Sequence, residues 1–205
     1  MTSLEPIWLG ADPGGRGAFG AAVVQGASVT TALVSCVDEA VAFFRHVVGS
    51  AVPAAAGIDA PLWWSSRPSG ARKVDVLLRR RYGLSGGAVQ GPNSLRGAAV
   101  VQAPILVARL REWQPAIAIT EAHPKAVLVG VFGGTFSRFA DALGLSGEAA
   151  TEHERDAVVG AVAAREGHSA TGSWRHDLSV DRYPEEQDPK TYWLAPVSYC
   201  WPEAL

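Results

Sequence analysis

Three short apolar runs in this chain each stop at an acidic residue: Pro6 to Ala11 at Asp12, Ala54 to Ile58 at Asp59, and Ala116 to Thr120 at Glu121. Runs of this length, bounded by turn formers, read as buried strands. In an open α/β sheet, ligands bind beyond the carboxyl ends of parallel strands, so acids placed there can converge although the sequence separates them. The pattern therefore predicts one α/β core carrying an acidic site at one end of its sheet.

The segments between the runs fit that frame. Asp12 leads into a Pro-Gly-Gly turn and a second apolar run, Ala18 to Val24; Gln25-Gly26 then breaks it before a third, Ser28 to Val34. This predicts an antiparallel opening meander. Asp38 begins a helical pattern with Val41, Phe44, Val47 and Val48 on one side, ending near Gly49. Residues 65–96 are polar, glycine-containing and basic, and predict a long irregular excursion with one helix near Val74 to Arg81. Leu95 to Trp113 is helical in pattern, with Pro104 expected to kink or split it and Pro115 to close it. Thr151 and Glu154 form a capping-box pattern for a helix of about four turns, in which Asp156, Val159, Gly160 and Ala163 share a face small enough to lie close to a sheet.

Composition sets outer bounds. With 205 residues, 48% hydrophobic and 19% charged, the chain has the apolar material for one core. The expected organisation is a domain over 1–167 and a Trp/Pro-rich extension over 168–205 packed on it. Cys36 and Cys200 are the two cysteines, which leaves no disulfide framework or zinc-finger spacing, and both read as packing residues. Glu5 and the brevity of the first apolar run disfavour a signal peptide, and no stretch approaches the roughly 20 apolar residues of a membrane helix. A cytoplasmic protein with no membrane partner is expected.

Asp12, Asp59 and Glu121, with Asp156 facing inward from the late helix, form the candidate catalytic and metal-binding set. Gathered carboxylates repel one another, and Mg²⁺ or Mn²⁺ with oxygen ligands relieves that repulsion. A pair of such ions activates a water and stabilises the leaving oxygen in phosphodiester hydrolysis. Each acid also has a plain structural alternative: Asp12 as a turn residue, Asp59 as a loop cap, Glu121 in a structural role that its poor fit to a turn disfavours, and Asp156 as a helix-dipole residue.

The strings Gly57-Ile-Asp-Ala-Pro-Leu62, Glu121-Ala-His-Pro-Lys-Ala126 and His153-Glu-Arg-Asp-Ala-Val158, with the opening Gly10-Ala-Asp-Pro-Gly-Gly15, resemble the motifs of a prokaryotic family described as predicted nucleases, domain of unknown function 429. The resemblance spans roughly residues 6 to 166. It implies an RNase H-like three-layer fold, a mixed central sheet flanked by helices, with Asp12, Asp59, Glu121 and Asp156 on the acidic positions. Fold alone does not fix activity.

One stretch departs from the simplest version of that fold. Between Arg67 and Arg81 lie Arg67, Arg72, Lys73, Arg79, Arg80 and Arg81 against Asp75, a local charge of +5 in a chain of net charge −2. These six, with His123 and Lys125 just after Glu121, are the candidate substrate-binding residues, and a nucleic acid is the candidate partner. A solvated helix face paired to surface acids is the alternative for the basic stretch. Trp63 and Trp64 are read either as base-stacking or as core residues, and His123 either as a phosphate or water ligand or as a structural histidine.

Three functions follow. The leading one is a divalent-metal-dependent nuclease or phosphodiesterase. The second is a non-catalytic nucleic-acid or protein-binding module on the same fold. The third, a phosphotransferase of the actin and sugar-kinase kind, is disfavoured because those enzymes need two such halves and because Arg16 stands where a phosphate-binding Ser or Thr is expected.

Overall fold

The computed structural model describes residues 5–95, 97–188, 194–203 and 205. Its centre is a five-stranded sheet built from β1 (Ile7–Asp12), β2 (Phe19–Gln25), β3 (Ser28–Val34), β4 (Pro53–Ile58) and β5 (Ala118–Glu121), in the order β3-β2-β1-β4-β5. The first three strands run antiparallel as the expected meander. β4 and β5 join β1 in parallel. Both faces of β1 and β4 are covered, which is why their sequences are apolar almost throughout rather than alternating.

Period-two alternation divides the core into two layers. Leu9, Phe19, Ala21, Val23, Ala56, Ile58 and Ile119 point to a face covered by α1 (Val37–Val48) and α3 (Gly97–Trp113). Trp8, Ala22, Val24 and Ala55 point the other way, toward α6 (Glu152–His168), with α2 (Lys73–Tyr82) and α4 (Pro124–Gly130) beside it. The result is a three-layer α/β arrangement around a mixed sheet. α5 (Phe136–Ala142) follows α4 and buries Phe139.

α6 lies unusually near the sheet because glycine occupies the strand positions beneath it. A β-carbon added at Gly10 would stand 1.9 Å from the Ala157 carbonyl oxygen. One at Gly57 would stand 1.9 Å from that of Gly160, and one at Gly20 1.9 Å from that of His153. No larger residue fits at these three points without moving the helix. The predicted capping box forms: the Thr151 hydroxyl accepts from the Glu154 amide at 3.2 Å, and the Glu154 carboxylate accepts from the Thr151 amide at 2.8 Å. The start of α6 is thereby fixed beside the ends of β1 and β4.

Two expectations need correction. Pro104 does not split α3, which is continuous over Gly97–Trp113. Proline removes a single ladder hydrogen bond there, while Ala103, Leu106, Val107 and Leu110 on either side of it bury in one core. The apolar face of α1 is Val37, Ala40, Phe44 and Val48, so Val41 and Val47 lie at its margin.

β6 (His176–Asp177) pairs with β7 (Cys200–Trp201), and Trp174, Tyr199 and Trp201 enter the core beneath α6. Ser198 lies along the open edge of β5, its amide donating to the Ile119 carbonyl at 3.0 Å and its carbonyl accepting from the Glu121 amide at 2.8 Å. That edge is thus paired rather than presented to solvent.

Candidate metal centre

Asp12 and Asp59 arrive at the same end of the sheet in phase. Ala11 stands opposite Ile58 in the parallel pair, so the residue after each projects to the α6 face. Asp156, one turn into α6, comes down onto them. One carboxylate oxygen from each of the three lies within 4.8 Å of the others.

Glu121 is not in this group. Its partner across the sheet is Ile58, not Asp59, so it is one residue out of phase with the aspartates and engages the start of α2 instead. There it is fully buried and receives both terminal nitrogens of Arg72, Nη1 to Oε2 at 2.7 Å and Nη2 to Oε1 at 2.6 Å. The Leu62 amide donates to Oε2 at 2.8 Å, and Arg72 is held on its other side by Asp75 at 2.8 Å. Trp63 lies against the guanidinium at 4.3 Å. Glu121 therefore anchors the loop that follows Asp59.

The three aspartates are electrostatically strained. Burial raises Asp59 well above the usual carboxylate range, and Asp12 and Asp156 push it further. Burial and the charge of Asp12 lift Asp156 to about 7. Asp12 is also raised by burial, opposed by His153, whose Nδ1 lies 2.6 Å from Oδ2 of Asp12. Asp156 is only 5% exposed, and neither it nor Asp59 accepts a side-chain hydrogen bond from a described residue. Buried carboxylates normally have such donors. All-oxygen, anionic and short of donors, the set suits a hard divalent cation.

These acids stand on one wall of a cleft of about 460 Å³. His123, at the N-cap of α4, and Lys125, in its first turn, also line it. Lys125 Nζ meets Glu152 at 3.2 Å. Partial burial works against the charge of Lys125, but Glu152, Asp156 and Asp59 outweigh it and hold the ammonium above its usual range. His123 is kept neutral by burial, its pKa lowered, and its Nε2 lies 3.1 Å from the Ala88 carbonyl, so it pins a loop that also lines the cleft.

The basic stretch is placed otherwise than the sequence suggests. Arg72 is wholly buried in the ion group just described. Lys73 pairs with Asp181, Arg67 stacks on Tyr183 at 4.0 Å, and Arg81 reaches Glu203 at 3.5 Å. Arg79 donates twice to the Val89 carbonyl, at 2.8 and 2.6 Å. Arg80 is exposed on α2. None of the six lines the cleft. Trp63 is a core residue, and Trp64 donates to Asn93 at 3.0 Å.

His153 and Glu152 were not among the expected site residues. The signal for His153 is its spacing: three residues before Asp156 on a helix, it shares that residue's face. Comparison of the chain with protein-family models, with curated proteins and with solved structures returns no match.

Proposed function

We propose that this chain is a divalent-metal-dependent hydrolase of phosphodiesters, with Asp12, Asp59 and Asp156 holding Mg²⁺ or Mn²⁺. The observation that carries the reading is the convergence of these three carboxylates within 4.8 Å, two of them without a side-chain hydrogen-bond donor among the described residues. The strand order, with an antiparallel meander followed by two parallel strands and a helix crossing β1 and β4, supports an RNase H-like version of the α/β fold and agrees with the motif resemblance.

A bound divalent cation supplies an activated water and shields the charge of a phosphoryl group. The chain's own residues then have distinct tasks. His153 holds the Asp12 carboxylate in place through Nδ1. Lys125 supplies a positive charge at the cleft mouth for a phosphoryl oxygen. Glu121 and Arg72 act at a distance, by fixing residues 60–62 behind Asp59. In the net reaction the water oxygen bonds to phosphorus, one phosphorus–oxygen ester bond breaks, and the released oxygen takes a proton.

The direct test is a crystal soaked in Mn²⁺, with hydrolysis of a chromogenic phosphodiester measured alongside. Anomalous density between the three aspartates, and turnover that is lost in Asp59→Asn, is the expected result. Empty density at saturating Mn²⁺ would instead favour a binding module that uses the same cleft without metal.

A further inference from the structure

Resting on the metal-hydrolase reading, we infer that the cleft takes a small phosphodiester, about the size of a single nucleotide derivative, and not a nucleic-acid strand. Three features of the molecule point the same way. The first is what has become of the basic segment. A protein that binds a strand spends its cations on a row of phosphates. Here five of the six cations are met within the chain, three of them by the segment that follows α6: Asp181 takes Lys73, Tyr183 takes Arg67, and Glu203 takes Arg81. Glu186 of the same segment accepts from the Lys73 amide at 2.8 Å and from Trp63 Nε1 at 3.2 Å, clamping the start of α2.

The second is the cleft wall. Strand-binding grooves pair a track of positive charge with aromatic platforms on which successive bases stack. Among the described residues lining this cleft there is no Phe, Tyr or Trp, and Lys125 is the one lysine or arginine. The walls are made instead of Pro13, Gly14, Pro61, Gly87, Ala88 and Ala98. Such small residues bring backbone close to a ligand, and the two imidazoles that line the cleft, His123 and His153, are tied to Ala88 and Asp12 and form no row for successive bases.

The third is size and enclosure. The volume of about 460 Å³ falls in the range of small-molecule pockets, which enclose most of their ligand. The loop carrying Gly87, Ala88 and Gln90 also lines the cleft, and it is tied down from two sides. His123 holds the Ala88 carbonyl and Arg79 holds that of Val89. Arg79, expected to bind substrate, instead stiffens the wall that confines it.

The test uses the full chain with Mn²⁺ and two kinds of probe. One is thymidine 5′-(4-nitrophenyl) phosphate; the other is a set of single- and double-stranded DNA and RNA oligomers longer than the roughly 16-nucleotide upper size of a strand-binding site. The small diester is expected to be cleaved with kcat/KM at least about tenfold above the per-bond value for any oligomer. Its KM should rise less than about tenfold between 50 and 200 mM salt, as one or two phosphate contacts require, where six or more would cost about 10³. The double variant Arg80→Ala/Arg81→Ala should leave this turnover unchanged. Faster per-bond cleavage of a strand, with the steep salt dependence, would overturn the small-substrate assignment while leaving the metal hydrolase standing. Mn²⁺ bound between the aspartates but no cleavage of any probe would overturn both.

Discussion

At the scale of single residues, Glu121 shows how a charge can be read correctly as important and wrongly as to task. Asp12, Asp59 and Glu121 look alike in sequence, each ending an apolar run, yet Glu121 stands one residue out of phase with Asp59 and is taken up by Arg72 at the start of α2. What the sequence could not supply was the partner, because Arg72 lies 49 residues away in an excursion with no periodicity. Removing one member of a buried ion group leaves the other uncompensated, so Glu121→Ala should cost about 3–5 kcal/mol in urea unfolding. Glu121→Gln should recover part of this, since its amide oxygen can still accept from the Leu62 amide. In both variants the rise in Tm on adding Mn²⁺ should persist; its loss in the glutamine variant would return Glu121 to the ligand set.

Elements are set by how closely α6 rides on the sheet. The capping box that starts it was legible because Thr151 and Glu154 hold the spacing that the chemistry demands. The small residues on its inner face were legible too, but the matching glycines on three different strands gain meaning only once the register aligns them. α4 and α5 left no signal of comparable strength, being seven residues each and too short for a helical period to stand out. Gly57→Ala tests the close approach. Its new methyl would meet the Gly160 carbonyl at 1.9 Å, so α6 must lift. Overpacking of this kind costs about 1–3 kcal/mol or more, and the displacement carries Asp156 away from Asp12 and Asp59. The expected result is a folded protein by circular dichroism whose Mn²⁺ affinity falls at least about tenfold, with Gly160→Ala giving a smaller loss because the nearest atom there is 2.8 Å away.

For the molecule as a whole, the aspartate cluster makes stability depend on pH and on metal in opposite senses. Asp156 is raised from 3.8 to about 7 in the folded chain, so between about pH 4 and pH 7 the folded state holds a proton that the unfolded state has released. Stability without metal must then fall as pH rises through that window, and Asp12 and Asp59 shift in the same direction. Divalent metal reverses the slope, because protons compete with the cation for the same oxygens. Asp156→Asn separates this account from a helix-dipole role for Asp156. The amide is nearly isosteric and removes one of three repelling charges, so the metal-free variant should melt higher than wild type at pH 8, by about 2–4 °C for each kcal/mol of repulsion relieved. It should also lose the part of the pH dependence that Asp156 contributes and most of the rise in Tm on adding Mn²⁺. A residue serving the helix dipole alone would behave differently on every count: its neutralisation would lower stability by about 0.3–1 kcal/mol and leave the Mn²⁺ response as in wild type. Melting curves of both proteins at pH 6 and pH 8, with and without Mn²⁺, decide between the two, and a variant that gains as much from Mn²⁺ as wild type does would remove Asp156 from the metal site.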